Sequence, residues 1–333
     1  MTTIDDVARH AGVTRSTVSY ALSGKRPISA ETRRRVERAI AELDYRPHAG
    51  ARALASARTH VIGLLAPLRP GVDVNVIMQF VAGVVTGAGE EGYDVLLLTQ
   101  DDGAISRATR SSMVDALVVM DVEADDPRVP ALDDLRQPTV LIGLPRDPRG
   151  LSCVDLDFER AGSLAAERLI SAGHRRLALL GSPDEVLRRH TSYADRMTRG
   201  FTESAARAGA TAAVLPTDPS FHGAVASVDR LLAEHPEVTG VVVHNEVALP
   251  HVIGRLRELG RRIPDDLSLI AVCPENTAAA QSIALTSVEI PAVAIGRLAS
   301  EMLIRRLGQG DALPEVRLVS PRIVEGESVR ARA

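Results

Sequence analysis

The stretch Thr14-Arg15-Ser16-Thr17-Val18-Ser19-Tyr20-Ala21-Leu22 decides how the amino end of this chain folds. Thr14 is a strong helix N-cap, because its hydroxyl can accept from one of the unpaired N–H groups of the first turn. Val18, Ala21 and Leu22 then fall on one helical face at the i, i+3, i+4 spacing. Arg15, Ser16, Ser19 and Tyr20 are left on the opposite side. Upstream, Ile4-Asp5-Asp6-Val7-Ala8-Arg9-His10-Ala11-Gly12-Val13 reads as a short amphipathic helix that ends in a glycine. Gly12 can take the left-handed conformation that stops one helix and turns the chain into the next. Two short helices joined by a tight glycine turn, the second polar on its outer face, make a helix-turn-helix.

A third helix is expected from Ser29 as N-cap, with Glu31 in its first turn, to about Leu43. Val36, Ala39, Ile40 and Leu43 form its apolar stripe. It closes a small core with Val7, Ala8, Val18 and Leu22. Charge separates this head from the rest of the chain. The 333 residues carry a net charge of −4, yet residues 1–60 hold eleven Lys and Arg against six Asp and Glu. A basic head on an acidic body is the distribution expected of a nucleic-acid-reading domain joined to something else.

Thr3-Ile4, Asp6-Val7-Ala8, Ala11-Gly12-Val13, Thr17-Val18-Ser19 and Leu22 resemble the opening of the lactose/galactose-repressor (LacI/GalR) family almost position for position. Tyr45-Arg46-Pro47 and Ala51-Arg52-Ala53-Leu54 resemble that family's hinge. The resemblance implies a homodimer on double-stranded operator DNA. DNA contacts are expected from Thr3, Thr14, Arg15, Ser16, Thr17, Ser19, Tyr20, Ser29 and Arg33, and from His48, Ala51, Arg52 and Leu54 in the hinge. Arg15 and Ser16 match the positions that vary most with operator sequence. An arginine there can pair with guanine O6 and N7, a contact worth roughly 1–3 kcal/mol of discrimination. Tyr20 stands where many members carry Arg. The hinge stretch is short for a free helix, since isolated helices under about 12–15 residues are marginal. Its small side chains would let two copies pack together on DNA, with Leu54 of each wedged into the minor groove.

From Val61 the pattern becomes short apolar runs alternating with helical segments. Strands are expected at 61–66, 93–99, 116–120, 139–143, 177–181, 213–215, 240–244 and 267–273. Helices are expected at 78–91, 159–172, 198–208, 224–234 and 248–259. This alternation implies an α/β fold with doubly wound parallel sheets. The resemblance implies two such lobes of periplasmic-binding-protein type. The full division is a helix-turn-helix domain at 1–46, a hinge and linker at 47–60, and a two-lobed effector and dimerisation domain at 61–333. The first lobe would comprise about 61–155 plus 286–325, and the second about 156–285. Ser282–Val288 is read as a crossover that returns the helix near 291–307 and the tail strands to the first lobe.

The cleft between the lobes, at the carboxyl ends of the strands, is the expected ligand site. The loop after the first strand offers Asp73 and Asn75, and later strand ends offer Gln100 and Asp121. The resemblance adds Asp157, Arg196 and Asn245, with Glu246 completing the pair after the strand 241–244. Phe80, Phe158, Tyr193 and Phe221 are the aromatic candidates for stacking. Glu275, in Cys273-Pro274-Glu275, replaces the family's Asp-Asp. The family's Asn-Pro-Phe-Phe is absent, with Val74-Asn75-Val76-Ile77 in that region, and its arginine before Gly200-Phe201 is shifted to Arg196. Carboxylates and amides in a cleft suit a ligand rich in hydroxyls, and a sugar is the leading reading.

Other chemistry is poorly represented. Gly87-Ala88-Gly89-Glu90-Glu91-Gly92 spells GxGxxG but ends a helix and precedes a strand, the reverse of the dinucleotide-binding context. No GxxxxGK[ST], HExxH or GxSxG occurs. His244 and His251 are read as helix-face histidines without metal spacing. Cys153 and Cys273 give neither a disulfide framework nor a metal set, and Cys273 is read as a buried or pocket-wall thiol. With no leader and no apolar run near the ~20 residues of a membrane span, a cytoplasmic, non-enzymatic protein without cofactor is expected. The reading is therefore a DNA-binding repressor controlled by a small metabolite. A partner-controlled regulator with a degenerate pocket, or a solute-binding protein, is the alternative.

Overall fold

The computed structural model describes residues 2–23, 26–45, 58–69, 72–100, 103–111, 113–308 and 313–332. The hinge candidates His48, Ala51, Arg52 and Leu54 lie outside the described residues.

The head contains α1 (Ile4–His10), α2 (Arg15–Ser23) and α3 (Ala30–Glu42). Thr3 and Asp6 cap α1 reciprocally: the Asp6 N–H donates to the Thr3 hydroxyl, and the Thr3 N–H donates to the Asp6 carboxylate. Gly12 takes φ +64 between α1 and α2, and the Thr17 N–H donates to the Thr14 hydroxyl at 3.2 Å. Ser29 caps α3 by accepting from the Thr32 N–H at 3.1 Å. Val7, Ala8, Ala11, Val18, Val36, Ala39 and Tyr45 form the core. Leu22, expected inside, is 40% exposed. It lies in the last turn of α2, and Tyr45, beyond α3, belongs to the core.

The first lobe runs β1 (Val61–Leu65), α4 (Val74–Glu90), β2 (Asp94–Leu98), α5 (Ala104–Arg110), β3 (Ala116–Val119), α6 (Val129–Asp133), β4 (Thr139–Ile142) and β5 (Ser152–Leu156). The second begins with α7 (Phe158–Ser171), β6 (Arg176–Gly181), α8 (Asp184–Arg188), α9 (Ser192–Arg207), β7 (Thr211–Pro216) and α10 (Phe221–Glu234). It continues with β8 (Gly240–Val243), α11 (Leu249–Glu258), β9 (Ser268–Cys273), α12 (Glu275–Ala279) and β10 (Thr286–Glu289). Last come α13 (Ala292–Gly308), β11 (Val316–Val319) and β12 (Ile323–Val324).

Among the described residues two six-stranded sheets result, in the orders β11-β5-β4-β3-β1-β2 and β12-β10-β9-β8-β6-β7. Every pairing is parallel except that of β12 with β10. The chain crosses between lobes after β5, returns before α13 and crosses again between β11 and β12. The crossover expected at 282–288 is not one. Residues 286–289 pair with β9 and β12 inside the second sheet, and of the tail strands only β11 joins the first. Thr286-Ser287-Val288 is short and buried on both faces, so it resembles a linker and a central strand equally well. Ser152–Leu156 is likewise a buried strand that the expected set omitted.

Each lobe is tightened by a pair of helices crossing at glycines. A Cβ on Gly162 in α7 would sit 2.2 Å from the Met197 carbonyl oxygen, and one on Gly200 in α9 would sit 1.9 Å from that of Glu159. In the first lobe Gly83 of α4 and Gly296 of α13 play the same part, against the Val293 and Phe80 carbonyl oxygens at 2.1 Å. The backbones therefore touch directly, which fixes how each helix pair lies on its sheet.

Candidate functional site

In both sheets the strand order reverses beside a central strand, between β1 and β3 in the first lobe and between β6 and β8 in the second. Loops diverge at such points and leave a crevice at the carboxyl ends of the strands. The two crevices face each other across one cleft with about 1010 Å³ of empty space, its open mouth included. Its walls come from those strand ends: Ala66 and Pro67 after β1, Met120 to Val122 after β3, Ser182 and Pro183 after β6, and His244 to Glu246 after β8. Phe158, Tyr193 and His244 form an aromatic wall, with ring centroids 5.4 to 5.7 Å apart.

Five of the ten predicted effector residues line this cleft. Asp73 ends the loop after β1 and caps α4, accepting from the Asn75 N–H at 2.8 Å. Asp121, with φ +55, accepts from Arg69 Nε at 2.7 Å and from both terminal nitrogens of Arg189. Tyr193 packs on the aromatic wall, and burial pushes its phenol up. Asn245 donates to the Thr217 carbonyl at 2.7 Å and accepts from the Ala248 N–H at 3.1 Å, which fixes the start of α11. Glu246 is half-buried, and burial lifts its carboxyl to about 7, with the charge of Asp73 acting in the same direction.

The other five are elsewhere. Asn75 is exposed on the first turn of α4, and Gln100 is exposed beyond β2. Asp157 is the N-cap of α7, accepting from the Arg160 N–H at 3.0 Å. Glu275 lies exposed in the first turn of α12. Arg196 is buried one layer behind the cleft, where it donates to Asp155 and reaches the Ser192 carbonyl at 3.3 Å. Asp155 is the carboxylate that reaches the cleft wall. Burial raises it to about 6 while the Arg196 guanidinium pulls it down, so it is ionised at neutral pH.

Sequence reading missed Asp155 because β5, buried along its whole length, was itself missed. His244 was read as a helix-face histidine; it stands at the end of β8, 5% exposed, with its ring against Phe158. Burial depresses it to about 4, leaving a neutral imidazole. Phe221 is 53% exposed and lies outside the cleft beside His222 and His251. Both thiols are buried, and burial raises Cys153 to about 12 and pushes Cys273 up as well, the opposite of what a nucleophile needs.

The head presents a second polar surface. Arg15 and Ser16 are exposed at the start of α2, where Arg15 lies 3.8 Å from Asp5 and Ser16 pairs with the Thr14 hydroxyl at 2.9 Å. Thr17 is also held by Thr14, at 2.8 Å. Ser19 and Tyr20 are half-buried, and Arg26 lies over the Tyr20 ring at 5.4 Å. Ser29 and Arg33 are exposed on α3. Thr3 spends its hydroxyl on the α1 cap.

Residues 3–48 match the model of the lacI family of bacterial regulatory proteins, and residues 166–329 match that of the periplasmic binding protein-like domain. The HTH-type transcriptional regulator CelR of Thermobifida fusca is 30% identical over 332 residues, covering 95% of each chain. The HTH-type transcriptional repressor PurR of Yersinia pestis bv. Antiqua is 30% identical over 340 residues, covering 99% of this chain and 97% of its own. A solved complex of the regulator CelR with cellobiose aligns at a TM-score of 0.69 and 26% identity, covering 98% of this chain and 100% of that one. The lac repressor dimer bound to operator and an anti-inducer shares the fold, with a TM-score of 0.84 at 23% identity over 99% of both chains. Among the described residues no helix is long and apolar enough to cross a membrane. With a helix-turn-helix head, two parallel-sheet lobes and a regulator 30% identical along almost its whole length, this chain belongs to the LacI family of DNA-binding transcriptional regulators.

Proposed function

We propose that the protein is a cytoplasmic homodimeric repressor whose grip on a pseudo-palindromic operator is set by a small hydroxylated metabolite, a sugar, held between the lobes. The observation that carries this reading is the cleft itself: one crevice, built from the switch points of both sheets and lined by Asp73, Asp121, Tyr193, Asn245 and Glu246. A ligand touching both walls favours one interlobe angle over others, and only such differential contact shifts an equilibrium. The complex of CelR with cellobiose supports the ligand class. Binding, not turnover, is the proposed chemistry.

In this reading the head (1–46) reads DNA, the connector (47–60) couples, and the body (61–333) senses and dimerises. Thr14, Arg15, Ser16, Thr17, Ser19 and Tyr20 face the major groove, and Thr3, Ser29 and Arg33 set the register on phosphates. His48, Ala51, Arg52 and Leu54 pair with their dimer mates in the central minor groove. Selection of bound duplexes from a random pool tests this. Enrichment of an inverted repeat with a fixed half-site spacing is expected. Enrichment of a single half-site, or of no sequence, would refute the dimeric repressor.

A further inference from the structure

Two carboxylates face the cleft from opposite lobes without a cation between them. Asp73 projects from the cap of α4 in the first lobe, and Glu246 follows β8 in the second. The other two acidic side chains of the walls are already compensated: Asp155 is paired with Arg196 behind it, and Asp121 accepts from Arg69 and Arg189. Neither lysine nor arginine lines the cleft among the described residues. No side chain of the described residues hydrogen-bonds to Glu246.

A second, independent feature marks the same spot. His244, two residues before Glu246, is 5% exposed, lines the cavity, and its imidazole makes no hydrogen bond among the described residues. Its ring nitrogens are not among the wholly buried polar atoms left without a partner, so they open onto the cleft, where a ligand hydroxyl can take the place of water. It lies against Phe158 and Tyr193, which supply an apolar surface for a ring.

Resting on the reading of this cleft as the effector site, we propose that it selects a hydroxylated ring bearing a basic nitrogen. The ammonium sits between Asp73 and Glu246, a ring hydroxyl meets His244, and the ring face packs on Phe158. An ammonium placed there offsets two like charges and draws the lobes together. A phosphorylated sugar or a nucleotide would add charge of the sign already present, and the cleft would reject it.

Titration calorimetry of the full-length protein at neutral pH, with D-glucose, D-glucosamine and a glucose phosphate, and with the three corresponding forms of a disaccharide, tests the proposal. The amino form of a sugar is expected to bind about tenfold more tightly than its neutral counterpart, the scale of one charge-assisted hydrogen bond. No heat is expected from the phosphates. Glu246→Gln and, from the other lobe, Asp73→Asn should each cut the preference to within about threefold while the melting temperature stays at or above that of wild type. A neutral sugar binding as well as its amino form, or a phosphate binding at all, would overturn the charge assignment and leave the cleft reading standing. Silence from all six probes would overturn both.

Discussion

Arg189 of the second lobe donates to both carboxylate oxygens of Asp121 in the first, at 2.8 and 3.0 Å. The pair sits at one edge of the cleft, beside a short backbone zipper. There the Ala124 N–H donates to the His190 carbonyl at 2.8 Å and the Ser192 N–H to the Val122 carbonyl at 3.0 Å. Besides the covalent crossovers, the lobes are thus fastened along residues 122–124 and 190–192. The two side chains are only 12% and 18% exposed, and Arg189 Nε is buried without a partner. Removing Arg189 takes away the bidentate partner of a poorly solvated carboxylate and leaves it Arg69. Arg189→Ala should lower stability by about 1–3 kcal/mol, between the exposed and buried extremes for ion pairs. Urea titration checks this, and a loss no larger than that of an exposed arginine would show that the pair does not fasten the lobes.

The glycine crossings carry a second expectation. A methyl at Gly162 meets the Met197 carbonyl at 2.2 Å, and neither backbone can yield without moving a helix. Gly162→Ala should cost about 2–3 kcal/mol or more, at the upper end of overpacking penalties. The same change at Gly89, where a Cβ meets nothing within 4 Å, should be neutral or stabilising. Equal melting temperatures for the two variants would contradict the direct backbone contact.

Stability should depend on pH through the cleft. Glu246 is raised from 4.5 to about 7, chiefly by burial. Its contribution is therefore fully present below pH 4.5 and is lost as pH rises through 7. His244 works in the opposite sense: lowered from 6.5 to about 4, it contributes above 6.5 and that contribution fades as pH falls toward 4. The wild-type profile mixes both, and the charge of Glu246 also raises Tyr193 and Cys273 beside it. Glu246→Gln isolates one of them. Relative to wild type, the variant should gain roughly 2 kcal/mol between pH 5 and pH 8. A difference that does not change with pH would place the glutamate in solvent.

On DNA, Arg15→Ala should relax the preference at one symmetric pair of base pairs, by roughly 1–3 kcal/mol each. Competition between operator variants measures it. A uniform loss on all sequences, with a shallower salt dependence, would make Arg15 a phosphate contact instead.

The head was legible because its signals are local. Thr14, Gly12 and Ser29 each act within four residues, and all three take the cap or turn read from the sequence. Leu22 failed because helical spacing gives a face but not how much of that face is covered. The first strands of each lobe were legible from length and apolarity. Ser152–Leu156 and Thr286–Glu289 were not, since a strand buried in mid-sheet between a polar loop and a helix carries no period-two signal. The cleft was legible in outline only. Asp157 and Asp155 alternate along one segment, and which of them faces the cavity depends on the register of β5 and the cap of α7. His244 was misassigned for a similar reason, since its ring neighbours Phe158 and Tyr193 are distant in sequence.

The central claim, that occupancy of the cleft sets affinity for DNA, is open to one direct measurement. Fluorescence anisotropy of a labelled duplex from the selected pool gives the operator Kd with and without a saturating cleft ligand identified by calorimetry. A shift of about 5–150-fold is expected, corresponding to a coupling of roughly 1–3 kcal/mol, with a weaker Kd marking an inducer and a tighter one a corepressor. An operator Kd that stays the same when the cleft is filled would contradict it.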